Sequence, residues 1–180
     1  MHRPQRITPQ PPDEWHDAAR AALATVVPSG TGRPVRLPAV IARHPTLLPP
    51  YLEWAKAVAG PGVLPPRVAA LVVLRTAVQC RSEFEWDVHA ARARHSAVLT
   101  DDEIAAVAEG VAAPRWSAIE RTILTAVDEL AAQHTIGDAT WASLAAELDD
   151  AAMVELVLLV GHYTMLSLLA NAVGLPPAAG

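Results

Sequence analysis

The densest run of reactive side chains in the sequence is CRSEFEWDVH, residues 80–89, which brings one thiol, three carboxylates and an imidazole into ten positions. Ser82 followed three residues later by Glu85 is an S-x-x-E helix-start signature, so the run is predicted to enter a helix there and continue to about residue 95. On that helix Glu85 and His89 are i and i+4 and share a face, ~6 Å apart. A carboxylate at that range orients an imidazole and favours its charged form, the arrangement that general acid or base catalysis needs near neutral pH. Phe84 and Trp86 add apolar walls. Cys80, just before the helix start, is a candidate nucleophile because a helix N-terminus favours a thiolate. Arg75 and Arg81 are nearby cations that could hold a substrate carboxylate.

Each of these residues has a plain structural alternative. Glu85 can be only the N3 carboxylate of a capping box, His89 a hydrogen-bonded helix residue, Cys80 a small buried hydrophobe, Trp86 core, and the arginines surface charges. Glu83 and Asp87 read as solvated charges near the positive end of a helix. Glu-x-x-x-His has the facial spacing of a metal pair but supplies only two ligands, so neither a metal nor another cofactor is expected.

The elements that must position this segment read as helices throughout. Residues 13–26 are Ala-rich with acids at the front, 38–43 and 46–59 are short helical pieces, and 66–78 carries Val68, Leu71, Val72 and Arg75 at helical spacing. Thr100 with Glu103 and Ser117 with Glu120 repeat the capping signature and open helices ending near Gly110 and His134. Asp138 is the expected cap of a helix with Trp141, Leu144 and Leu148. Asp149 or Asp150 caps the last long helix, which Gly174 and Pro176 terminate. VPSGTGRPVRLP, residues 27–38, and GPGVLPP, residues 60–66, are breaks. No stretch alternates long enough for a strand, so the fold class is all-α. ALVVLRTA from Ala70 echoes ELVLLVGH from Glu155, which fits an internal helical repeat or simply two aliphatic helices.

Length and charge bound the rest. A chain of 180 residues suggests one domain, 13–177, behind a Pro-rich arm, 1–12, expected to be extended and flexible. A net charge of −5 with Lys56 as the only lysine argues against nucleic acid or an anionic membrane as partner. Cys80 stands alone, which excludes an internal disulfide and a CxxC redox pair. The stretch 151–173 is apolar enough to raise a membrane span, but Glu155, His162 and Asn171 interrupt it at separate depths, so a buried central helix is expected. The N-terminus has no apolar run behind its basic residues, and a cytoplasmic location is expected.

LPPRVAALVVLRTAVQCRSEFEWDVH, followed by ARARHSAVLTDDEIAAV, resembles the carboxymuconolactone decarboxylase and AhpD-like superfamily. Members often carry LPxRxRELxILR, then C-x-S-E-Y-E-W-x-x-H and an acid-rich helix start. ELVLLVGHYTMLSLLANAVGL resembles the closing helix, and RHPTLLPPYLEWAKAV the lead-in helix, so the resemblance runs over about residues 37–177. It implies a cofactor-independent lyase or isomerase acting on a small carbonyl, lactone or carboxylate through His89 and Glu85. It also implies a homo-oligomer, trimeric or hexameric. Glu155, His162 and Tyr163 of the closing helix join Trp86, Phe84, Arg75 and Arg81 as candidate substrate contacts.

The chain departs from the pattern in two places. The cysteine positions of the peroxidase-like C-x-x-C-x-x-x-H motif hold Ser82 and Glu85, so no two-cysteine cycle can run within one chain. A frequent glutamate of the RELxILR helix falls on Ala70, with Glu155 the substitute at the echoed position. These departures leave two further readings. One is a one-cysteine hydroperoxide reductase using Cys80, and the other is a non-catalytic oligomeric relative.

Overall fold

The computed structural model describes residues 4–24 and 36–177, and within them every regular element is helical. After a single 3-10 turn at Pro12–Glu14 come α1 (Asp17–Leu23), α2 (Arg36–Ile41), α3 (Leu48–Val58), α4 (Pro66–Gln79) and α5 (Glu83–His95). They are followed by α6 (Asp101–Glu109), a 3-10 turn at Gly110–Ala112, α7 (Ala118–Gln133), α8 (Asp138–Ala145) and α9 (Asp150–Val173).

Two expected boundaries move for local reasons. The helix expected over 13–26 breaks at Trp15–His16, because the Trp15 indole donates to Gln10 O at 2.8 Å and His16 caps α1 through Nδ1. Its last two positions, like most of the expected break at 27–38, lie outside the described residues, and 36–38 are already helical. Asp138 is the first helical residue of α8 rather than its cap. Gly137 takes the cap position, its N–H donating to Glu129 Oε2 at 2.9 Å.

The Pro-rich arm is extended but bonded. Arg6 and Ile7 donate their N–H groups to Val173 O at the end of α9, Gln10 N donates to Ala39 O, and Arg43 reaches back to Thr8 O.

α4 is the hub, packed on α5, α6, α7 and α9. One of its faces gives Val72 and Val73 to the main core, where they join Ile123, Leu144, Leu156 and Leu159. Another gives Leu71 and Leu74 to a second core, with Ile104, Val107 and Trp116. A third, smaller core under α1–α3 holds Leu23, Leu48 and Leu52. The long closing helix differs from the expected buried one. Ala152, Leu156, Tyr163 and Leu166 face inward, whereas Val154, Val157, Leu158, Met165 and Leu168 form an exposed stripe on the other side. By length and composition alone α9 could cross a membrane, yet half of its most apolar window is buried in the molecule.

Arg67 at the start of α4 ties the two later helix starts together. The capping-box glutamates Glu103 and Glu120 accept from Thr100 N and Ser117 N through one oxygen and from Arg67 at 2.7 Å through the other. The Arg67 bond, backed by the Thr100 N–H, holds the Glu103 carboxyl down at about 2, against an ordinary 4.5. Glu120 is pushed up by burial, but the Ser117 N–H and Arg67 outweigh this and its carboxyl is also lowered. A carboxyl depressed on folding stabilises above its ordinary range and loses that contribution as pH falls toward its folded value. Arg67 is part-exposed and such pairs contribute ~0–1 kcal/mol. Arg67→Met should therefore lower the melting temperature at pH 7 by ~2–4 °C. The gap from wild type should close as the pH of the melts is lowered from 4.5 toward 2; a gap constant with pH would contradict the assignment.

Candidate functional site

Three helices each contribute a stripe to one cavity of about 440 Å³. α4 gives Pro66, Ala69, Ala70 and Val73, α5 with its C-cap gives His89, Arg92, Ala93 and Ser96, and α9 gives Glu155, Leu159 and Tyr163. Each set follows i, i+3, i+4, i+7 or i, i+4, i+8, the spacing of one helix face. The α3–α4 connection closes a further wall with Gly60, Pro61, Gly62 and Leu64. Ala70 and Glu155, the echoed positions of the sequence, thus line the same space from two helices.

Glu85 is 3% exposed and stands behind His89, its Oε2 3.4 Å from His89 Nε2. Ser82 Oγ accepts from Glu85 N at 3.4 Å, so Ser82 caps α5. The Ser82 N–H donates to Ala77 O and not to the Glu85 carboxylate, in contrast to the complete boxes at Thr100 and Ser117. The carboxylate is turned inward to the imidazole instead of back to the cap.

An aromatic and imidazole cluster surrounds this pair. The Tyr163 ring meets His89 edge-on at 4.7 Å between centroids and His162 at 5.1 Å. His162 stacks on Tyr51, and its Nδ1 accepts from Trp54 Nε1 at 3.1 Å. Burial pushes the Tyr163 phenol up to about 12, with the Glu85 charge adding and Arg92 opposing. Tyr51 is raised by burial and by Glu85 in the same sense. Burial holds His162 below the ordinary imidazole range despite Glu85, in keeping with a lone pair on Nδ1 for Trp54. Tyr163 at the cavity wall is therefore a proton-bearing donor at neutral pH, and His162 behind it is a neutral support.

Of the residues expected from the sequence, His89, Glu155 and Tyr163 line the cavity, and Glu85 and His162 back them. The others do not line it. Arg75 is committed elsewhere, as Nε and Nη2 grip Asp128 at 2.6 and 2.8 Å while Nη1 donates to Val107 O and Ala108 O. It lies two positions past Val73, ~200° around the helix, and so on the far side of α4. Arg81 is exposed, at a left-handed φ of 51°. Phe84 is buried in the main core with the Arg36 guanidinium 5.6 Å over its ring, and Trp86 packs against the second core. Cys80 ends α4, with its Sγ 3.9 Å from Thr164 Oγ1 and its carbonyl accepting from Asn171 Nδ2 at 2.8 Å.

The cation that reaches the cavity is Arg92, three residues past His89 on the same face and without an ion-pair partner among the described residues. Its i+3 spacing from His89 is the signal that marks it, and it is also nearer to His89 along the chain than Arg81 or Arg75. No group of three or more potential metal ligands forms among the described residues.

Residues 45–129, from just before α3 to the last turn of α7, match the profile of the Carboxymuconolactone decarboxylase family. Over this segment the chain is similar to that family. No curated protein matches the chain. Among solved structures, an uncharacterized peroxidase-related protein from Silicibacter sp. TM1040 superposes with a TM-score of 0.80 at 15% identity, covering 99% of this chain and 96% of that one. A second, from Ralstonia eutropha JMP134, is described as an alkylhydroperoxidase AhpD core. It gives 0.79 at 17% identity, over 96% of this chain and 93% of that one. A protein of unknown function from Agrobacterium tumefaciens gives 0.64 at 22% identity, over 72% and 88%. These likenesses establish an AhpD-like all-α fold. The family segment contains Cys80, Glu85, His89 and Arg92, while Glu155, His162 and Tyr163 come from α9 beyond it.

Proposed function

We propose that the chain is a cofactor-independent lyase or isomerase that moves a proton on a small carbonyl, lactone or carboxylate compound through His89. The observation that carries this reading is the buried Glu85 carboxylate, free of any capping bond, set 3.4 Å behind an imidazole on the wall of a largely apolar cavity. With Nε2 turned to Glu85, Nδ1 is the nitrogen left to accept or donate the proton, and Glu85 stabilises the imidazolium that forms. Tyr163 offers a neutral hydrogen-bond donor, and Arg92 a charge for an anionic group on the substrate. The test is a panel of small lactones, β-keto acids and ketones followed by NMR in D₂O without added cofactor. His89-dependent deuterium incorporation, isomerisation or decarboxylation is the expected outcome.

A second reading takes its support from the peroxidase-related descriptions of the neighbours and from the thiol of Cys80. There the thiolate attacks a hydroperoxide, an alcohol leaves, and the resulting sulfenic acid is reduced by external thiol. Hydroperoxide consumption that needs Cys80 and a dithiol, with no carbon chemistry across the panel, would put this reading first.

A cytoplasmic location and self-association complete the proposal. The exposed α9 stripe is proposed to receive a second copy of the chain. Gly161 sits mid-stripe with open space where a Cβ would stand, which lets another helix approach closely. Light scattering at micromolar concentration should give a multiple of 19.1 kDa, and Leu168→Glu should reduce it toward one subunit; a wild-type monomer would end this part of the proposal.

A further inference from the structure

The wall formed by the α3–α4 connection is held by very little. Among the described residues, the hydrogen bonds of residues 60–64 are two, from Val63 N and Leu64 N, and both go to Glu155 Oε2, at 2.6 and 3.3 Å. Pro61 has no N–H to give. Leu64 is buried in the main core and anchors one end, whereas Val63 is 59% exposed. The other Glu155 oxygen lies over Gly62, where a Cβ would overlap the carboxylate, so the connection and the side chain fit only because position 62 is glycine. Gly60, Pro61, Gly62 and Leu64 line the same cavity as His89.

We propose that Glu155 is a positioning residue that latches the 60–64 connection and so controls access to His89. Its Oε2 is occupied by two backbone donors, which makes it a clamp on the cavity wall rather than a proton relay standing in for the missing glutamate at Ala70. With the latch closed, the connection keeps water and bulky reagents off the imidazole and fixes the size of molecule admitted. With it open, the two glycines let residues 60–63 swing about the Leu64 anchor. This deepens the proposed function, since it rests on His89 lying at the working end of the cavity.

The test reads access to His89 and leaves turnover aside, so a chain inactive on every lactone and keto acid could still pass it. Diethyl pyrocarbonate acylates accessible imidazoles, and mass spectrometry of the peptides gives a rate for each histidine. In Glu155→Ala, His89 should react about tenfold faster than in wild type, the scale expected on losing a charge-assisted bond. Exposed His44 and His134 should keep their rates. The amides of Val63 and Leu64 should exchange with D₂O faster. Glu155→Gln, which keeps an acceptor oxygen without the charge, should fall between the two on both readouts. Gly62→Ala should mimic Glu155→Ala by pushing the carboxylate off the connection. The proposal is overturned if His89 gains no more than His44 and His134, or if the two amides keep their wild-type exchange. Should Glu155→Ala fail to fold, the Glu155→Gln amides and His89 rate decide by the same criteria.

Discussion

His89→Ala lowers turnover of whichever panel compound reacts by about 10²-fold or more, the usual cost of losing a positioned general acid or base. Among the described residues that line the cavity the imidazole has no understudy. His162 is buried, separated from His89 by the Tyr163 ring, and engaged by Trp54 through Nδ1. Tyr163, raised to about 12, does not give up its proton near neutral pH and so cannot serve as the base. Glu85→Gln keeps the side-chain shape and leaves the Ser82 cap intact, because that cap uses only the Glu85 backbone N–H. It should give a smaller loss of the same sign. Cys80→Ser should retain most activity, since the thiol lies off the cavity wall beside Thr164. Steady-state kinetics of the three variants, each with an unchanged far-UV spectrum, check the assignment. A dead Cys80→Ser enzyme beside an active His89→Ala one would transfer the chemistry to sulfur.

Arg75→Met destabilises the fold by ~3 kcal/mol, because removing the buried partner of this ion pair strands a carboxylate that is only partly exposed. The residue is 8% exposed, and its loss leaves Asp128 with only Gln79 as a donor and removes the arginine's bonds to the Val107 and Ala108 carbonyls. For a chain of this length that is a fall in melting temperature of roughly 10 °C. The exposed Arg94–Asp101 pair is the internal comparison; Arg94→Met should cost under ~1 kcal/mol. Replacing Asp128 with leucine in the Arg75→Met background should recover part of the loss, because the stranded charge goes with it. Denaturant melts of the four proteins give the comparison, and equal costs for Arg75→Met and Arg94→Met would show that Arg75 is not structural.

Much of the architecture is legible because helix starts carry chemical punctuation. Thr100 with Glu103 and Ser117 with Glu120 place α6 and α7 to within a residue, and Ser82 does the same for α5. The same signature misdescribes Glu85, since one-dimensional spacing cannot say whether an N3 carboxylate turns back to its cap or inward to a neighbour. The inward turn depends on α9, which brings Tyr163 and His162 to the face of α5 from seventy residues away. Arg75 fails for a related reason. Its place on the helix was legible, but its partner Asp128 lies on α7, and only packing reveals that a nearby cation is already taken. Arg92 was open to the spacing argument that paired Glu85 with His89. Glu155 was legible as a residue of interest, while its work on Val63 and Leu64 was not, because a loop's donors leave no mark in the sequence.

The turn after α6 constrains how this chain can vary over time. Gly110 has φ +77°, and a Cβ there would fall 2.6–2.8 Å from the Arg75 guanidinium atoms. An L side chain at 110 is thus opposed twice, by the backbone angle and by the arginine that Asp128 holds in place. Positions 75, 110 and 128 lie on different elements and do not line the cavity, yet a change at one alters the constraint on the others. Losing the arginine would remove only the steric half of the barrier at 110, and the positive φ would still favour glycine there.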